Sequence, residues 1–335
     1  VMRPDWRDPR LLLLLAATLL LASSFLAPQI SVARVGYDAL LVVDITGSMN
    51  TRDYAANGRP QSRLDAVKAA LREMIAGLPC ASRIALGVFS ERRPFLLYEP
   101  IEVCADYAQL GGSIDALDWR MAWEGDSHVA AGLYRAIDMA KELRADVLFF
   151  TDGQEAPPLP ASGGPVFDGR PGETKGLIIG VGGYRLSPIP KFNDEGREIG
   201  FYGVDDVPHE NRHGLPPAGA EQREGYNARN APFGATMTAG VEHMSSVREP
   251  YLRTLADRTG LVYTHLDGAA ELARAFRSAA TPRMREAALD MRPVFGASAG
   301  ALLLAAFVAT PLLEQRARRR EIIRAANKPP ERRVA

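Results

Sequence analysis

The chain has 335 residues, 47% of them hydrophobic and 24% charged, a composition in the ordinary globular range that allows a sizeable buried core. Forty basic residues balance forty acidic ones, so no global field draws the molecule to nucleic acid or to an anionic membrane surface. Basic clusters interleaved with aromatics are missing from the central part of the sequence, which excludes nucleic acid as an expected partner.

In chain order, the first element is the uncharged run Leu11 to Ala27, which follows Arg3, Arg7 and Arg10. It reads as a retained membrane helix; a cleaved signal peptide with Ser31-Val32-Ala33 at its processing site is the rival reading. A second uncharged run, Val294 to Leu313, precedes Arg316, Arg318, Arg319 and Arg320 and reads as another span. Lys and Arg excess marks the cytoplasmic side, so both termini are expected inside and the central domain outside. Arg283, Arg285 and Arg292 on the outer side count against that orientation. The expected layout is a cytoplasmic N-terminus over 1–10, spans over 11–27 and 294–313, an exported domain over 35–285 and a basic cytoplasmic tail over 314–335.

Inside the exported domain, Tyr37 to Val43 is a continuous apolar run ending at Asp44, as expected of a strand buried on both faces. Leu64, Val67, Leu71, Met74, Ile75 and Leu78 recur at helical steps, with Ser62 as N-cap. Arg83 to Phe89 and Pro94 to Tyr98 read as a hairpin. Then come a helix from Ser127 to Leu143, strands at Asp146 to Phe150 and Gly176 to Val181, a helix from Glu249 to Arg258, a strand at Leu261 to Thr264 and a helix from Gly268 to Ser278. This alternation predicts an α/β fold with a doubly wound, mostly parallel sheet and one antiparallel edge. Gln154 to Lys175 reads as a loop, and Gly182 to Ser246 as a long polar insertion in which Arg197 to Tyr202, after the turn at Asn193 to Gly196, is suited to a hairpin.

An exported domain lies where disulfides persist. The midpoint of Cys80 and Cys104 falls in the hairpin turn, so the two residues should face each other at its open end and pair. Two separate buried thiols are the competing reading.

Asp44, Thr46 and Ser48 place a carboxylate and two hydroxyls at alternate positions where the central strand ends. Such oxygen donors suit a hard cation. Alone the pattern is weak, because the same residues serve turns and helix caps. Thr151-Asp152-Gly153 follows a second strand and so emerges at the same sheet edge, where ligands of open α/β sheets bind. Ser127 adds a hydroxyl at a helix start, and Asp126 beside it reads as a helix cap.

Together the three segments resemble the metal-ion-dependent adhesion site (MIDAS) of von Willebrand factor A (VWA) domains, a Rossmann-like fold. The resemblance implies Asp44, Thr46, Ser48, Ser127 and Asp152 as metal ligands, with Thr46 standing where Ser is usual and Ser127 where Thr is usual. Magnesium is the expected cofactor, with manganese and calcium as alternatives, and the expected partner is a protein that supplies an Asp or Glu to the metal. The wording of Val43 to Tyr54, Leu117 to Trp123 and Phe150 to Leu159 looks like the MxaL-type proteins of bacterial methanol dehydrogenase clusters. That resemblance implies two spans in the bacterial inner membrane, a periplasmic domain, and a role in maturation, through calcium insertion, of periplasmic PQQ-dependent methanol dehydrogenase. The enzyme or its maturation factors would then be the partner. The alternative is a subunit of an aerotolerance-like envelope complex working with a MoxR-type ATPase, whose VWA proteins also carry flanking spans.

His209 and His213 lie four apart with Glu210 between them, a spacing for zinc on one helical face, but Pro208, Gly214 and Pro216 favour a solvated loop. Trp119 and Trp123 flank Met121 and are expected to pack under the metal loop. No phosphate loop or C-x-x-C pair occurs, and no general base adjoins the nominated hydroxyls, so the chain is read as non-catalytic.

Overall fold

The computed structural model describes residues 8–26, 29–122, 126–159, 164–193, 195–203, 206 and 241–326. Its elements in order are α1 (Pro9–Ser24), β1 (Gln29–Asp44), β2 (Tyr54–Ala56), β3 (Arg59–Gln61), α2 (Arg63–Ala76), β4 (Arg83–Ser90), β5 (Arg93–Glu102), α3 (Tyr107–Asp115), α4 (Val129–Glu142), β6 (Asp146–Thr151), β7 (Gly176–Gly180), β8 (Ser187–Pro188), β9 (Pro190–Phe192) and β10 (Glu198–Phe201). They continue with β11 (Met244–Ser245), α5 (Glu249–Thr259), β12 (Val262–His265), α6 (Ala269–Ala279), β13 (Pro282–Asp290), α7 (Arg292–Leu304) and α8 (Thr310–Ala326). The fold divides into a unit of Arg34–Arg285 and a unit of the two terminal segments, Val1–Ala33 and Glu286–Ala335.

The larger unit is built on a seven-stranded sheet in the order β12-β7-β6-β1-β4-β5, with β13 also pairing with β1. The pairs β1/β4, β1/β6, β6/β7 and β7/β12 are parallel, and β4/β5 is the antiparallel edge. Alternation along β1 explains its continuous apolar run. Leu41 and Val43 pack into one core with Leu71 and Met74 of α2 and Phe276 of α6. Leu40 and Val42 pack into a second core with Leu133 and Ile137 of α4 and Leu252 and Leu255 of α5. With helices on both faces, neither set of side chains meets water, and every position must be apolar.

Cys80 and Cys104 form a disulfide with Cα atoms 5.3 Å apart, just beyond the Arg83–Glu102 pair at the open end of the β4–β5 hairpin. The hairpin expected in the insertion is also present, as antiparallel β9 and β10.

Among the elements not anticipated are α3 and β13. Helix α3 contains the pair Gly111-Gly112, which lowers helix propensity, and is held by only two fully buried side chains, Leu110 and Ile114. Strand β13 alternates exposed and half-buried residues. Its Arg283 and Arg285 both form ion pairs with the buried Asp38. These two arginines therefore have a structural partner, which accounts for cationic side chains at positions expected outside the membrane.

In the terminal unit α1 packs against α7, and Arg10 pairs with Glu314 at 2.6 Å. Among the described residues one helix, Arg292–Arg320 with 29 residues, is long and apolar enough to cross a membrane. It includes a π-helical turn at Ala305–Ala309, where the Thr310 hydroxyl donates to the carbonyls of Ala305 and Ala306. The first expected span is shorter than the run Leu11 to Ala27 implies: α1 has 16 residues and ends at Ser24. At 1.5 Å per residue such a helix reaches about 24 Å against a hydrocarbon core of about 30 Å.

Removing the disulfide through Cys80→Ala with Cys104→Ala should lower the unfolding free energy by about 3 kcal/mol, read from urea denaturation of oxidised wild type and variant. An unchanged midpoint would show that the hairpin end is held by its strand pairing alone.

Candidate metal centre

Asp44 is the last residue of β1 and pairs with Phe89 of β4; on the other side Val43 pairs with Phe150 of β6, so Thr151 arrives alongside Asp44. The Asp44 carboxylate is fully buried and accepts from the Thr46 amide at 2.9 Å, the Thr46 hydroxyl at 2.7 Å and the Thr151 hydroxyl at 2.7 Å. Burial pushes its pKa up to about 7, the Asp152 charge adds to the rise, and the Thr46 and Thr151 donors oppose it.

The chain then turns through a 3-10 segment at Gly47–Asn50, closed by Met49 N–H to Thr46 O and Thr51 N–H to Ser48 O. Ile45 and Met49 are fully buried in the core and pin this loop from below. Apolar anchors at 45 and 49 leave Thr46, Ser48 and Asn50 as its polar positions.

Ser127 stands in an extended segment two residues before α4, rather than in the helix. Its backbone exchanges hydrogen bonds with Ala156 at 2.7 and 2.8 Å, and the His128 amide donates to Glu91 O at 2.6 Å. The segments following β4 and β6 thus hold Ser127 at the carboxyl edge of the sheet. Its Oγ is buried and has no hydrogen-bond partner among the described residues.

Asp152 directly follows β6 and is also fully buried. Gly153 after it adopts φ +79°, and a Cβ there would lie 2.9 Å from Leu252 Cγ, so the turn that presents Asp152 requires glycine. Asp152 Oδ1 accepts from the Gln154 amide at 2.9 Å, while Oδ2 accepts from Arg63 at 2.6 Å and from the Ser245 hydroxyl at 2.7 Å.

Arg63 and Ser245 escaped the sequence reading. Arg63 occupies the same α2 stripe as Val67, Leu71 and Met74, all buried, so its signal was a lone charge on an apolar face. Ser245 sits at the end of the long insertion, in the two-residue strand β11, where no periodicity marks it. The insertion touches the first loop elsewhere: Glu198 pairs with Arg52, and Phe192 stacks on Trp119 with ring centroids 4.5 Å apart. Trp119 therefore packs against the insertion.

The sequence reading of Asp126 as the cap of α4 is corrected. The cap is Glu155, whose Oε1 accepts from the Ala130 amide at 2.9 Å and from the Tyr251 hydroxyl. Trp123 and the triplet His209, Glu210 and His213, which matches H-E-x-x-H, lie outside the described residues. Gly296-Ala297-Ser298-Ala299-Gly300 spells G-x-S-x-G, but inside α7 and not at a strand-to-helix turn, so it is no nucleophile elbow. The cluster Cys80, Glu102 and Cys104 offers no thiolate, because its cysteines are bonded to each other.

The donor set fits a hard divalent cation on two observations. Asp44 and Asp152 are both buried, and the Asp152 charge adds to the burial that disfavours ionisation of Asp44, which an adjacent cation would relieve. Ser127 Oγ is a buried oxygen with a lone pair to give and no partner among the described residues.

Residues 39–154 match the family model of the von Willebrand factor type A domain, a stretch that includes Asp44, Thr46, Ser48, Ser127 and Asp152. By that match residues 39–154, from β1 to just past β6, carry the sequence of a VWA domain. An aerotolerance-related membrane protein from Bacteroides fragilis is similar at 14% identity over 72% of this chain and 98% of that one, with a TM-score of 0.44. BatB from Bacteroides thetaiotaomicron is similar at 15% identity over 72% and 95%, with a TM-score of 0.43. The manganese-loaded TRAP protein of Plasmodium vivax is similar at 10% identity over 78% and 82%, with a TM-score of 0.35. No curated protein matches the chain. None of these comparisons carries the resemblance to MxaL-type proteins.

Two outcomes follow from this geometry. Gly153→Ala should cost about 1–3 kcal/mol of stability, read by urea denaturation, because the new methyl group meets Leu252 in a left-handed turn. In chelator, the native protein keeps a proton on Asp44 that the unfolded chain releases near its ordinary pKa. Stability should therefore fall as pH rises from about 4 to about 7. Asp44→Asn should flatten that slope, and so should excess magnesium; an equal slope in the Asn variant would assign it to other groups.

Proposed function

We propose that this chain is a non-catalytic, membrane-anchored VWA protein that captures an acidic side chain of a protein partner through a divalent cation held by Asp44, Thr46, Ser48, Ser127 and Asp152. The observation that carries the reading is the unpartnered, buried Ser127 Oγ at the same sheet edge as the paired carboxylates. Magnesium, the ion favoured here, keeps part of its coordination shell exchangeable and so offers a position to an incoming carboxylate. The Thr46 hydroxyl donates its proton to Asp44 and keeps lone pairs for a cation, so both groups serve together.

The helix Arg292–Arg320 supports membrane anchoring, and the Arg10–Glu314 pair supports a common side for the two chain ends. Placing that side in the cytoplasm and the VWA domain in the periplasm follows the arginines after Leu313. Assembly of periplasmic methanol dehydrogenase as the client process rests on the sequence resemblance of three segments alone.

Full-length protein purified from its native membranes should recover its partner in magnesium, and lose at least about tenfold of it in chelator or with Asp44→Ala or Asp152→Ala, since each change removes a charge-dependent contact. Equal recovery in all preparations would sink the metal-dependent model. If the client is methanol dehydrogenase, deleting the gene should abolish its activity in the periplasm and added calcium should restore it; activity that is indifferent to the deletion excludes this client and leaves the capture mechanism intact.

A further inference from the structure

Arg63 is the largest fully buried side chain of the domain, and its guanidinium lies against the proposed metal centre. Nη1 donates to Asp152 Oδ2 at 2.6 Å, to Ser245 Oγ at 2.6 Å and, at 3.4 Å, to the carbonyl of Ser48. The other side of the guanidinium faces Asp53, with Nε at 3.0 Å and Nη2 at 2.6 Å from Oδ2. Asp53 is itself nearly buried and is fixed by the Gly183 amide at 2.8 Å. A Cβ at Gly182 would sit 2.5 Å from Arg63 Nε, so the chain closes over the guanidinium and leaves it no other place.

Burying a charge in this way is costly unless partners compensate it, and here the compensation comes from two carboxylates, one of which belongs to the metal centre. The head that bonds Asp152 also reaches the backbone of Ser48, a second member of that centre. A fixed positive charge next to a cation site acts against the incoming ion, and in a water-poor surrounding the effect is strong.

We propose that Arg63 sets the affinity of this centre: a resident cation that competes with the divalent ion for the charge of Asp152 and holds the affinity of the site down. The inference rests on the metal reading above. It makes the ion exchangeable, as a switchable contact requires, and it assigns Asp53 the role of restraining that competition from the far side of the guanidinium.

The test is Mn²⁺ binding to the full chain in detergent, measured by electron paramagnetic resonance of the free ion. Arg63→Gln should bind Mn²⁺ about tenfold more tightly than wild type, and Arg63→Lys, which keeps the charge, should stay within about twofold. Asp53→Asn leaves Arg63 to Asp152 alone and should weaken binding about threefold; it also serves where Arg63→Gln fails to fold. A merely structural Arg63 predicts weaker binding in Arg63→Gln. That result, unchanged affinity in Arg63→Gln, or unchanged or tighter binding in Asp53→Asn overturns the proposal. Wild type that binds no Mn²⁺ overturns the metal reading itself, a separate and recognisable outcome.

Discussion

Two carboxylates, Asp44 and Asp152, emerge from neighbouring parallel strands at the same sheet edge and are both excluded from water. That arrangement is unfavourable unless positive charge or donors surround it. Much of the local architecture supplies them. Thr46 and Thr151 donate to Asp44, while Gln154, Ser245 and Arg63 donate to Asp152. The 3-10 turn after β1, the left-handed Gly153 and the strand β11 from the insertion are the backbone devices that bring those donors in.

The sheet makes the coincidence possible. In parallel strands all carboxyl ends fall on one edge, so residues 108 positions apart, Asp44 and Asp152, reach the same place without any local signal linking them. Helices on both faces then seal the strands, so the polar chemistry of the site is confined to the strand ends. Helix α4 shows the same economy: its N-terminal amide is capped by Glu155 from the loop after β6, which ties the Ser127 segment to the Asp152 segment through a second contact besides the Ser127–Ala156 bridge.

Charge is treated similarly elsewhere in the domain. Asp38, buried in β1, is answered by Arg283 and Arg285 of β13, so the strand pairing carries an ionic contact as well as its backbone ladder. A topology argument that counts arginines meets a limit here: cationic residues engaged by a buried carboxylate report on the fold and not on the membrane side.

The sequence by itself determined the central strand, the alternation of strands and helices, the antiparallel edge and the pairing of Cys80 with Cys104, because periodicity, apolar runs and hairpin symmetry are local properties. Its resemblance to the MIDAS pattern, added to the placing of these segments at strand ends and before a helix, also implied Asp44, Thr46, Ser48, Ser127 and Asp152. Only the tertiary structure brought Arg63, Asp53 and Ser245 to that edge, moved the cap of α4 from Asp126 to Glu155, and shortened the first apolar helix. A lone arginine on an apolar stripe, an acid in a loop and a serine in a long insertion have no periodic signature. Their roles come from contacts between segments far apart in the chain, which spacing along the sequence does not encode.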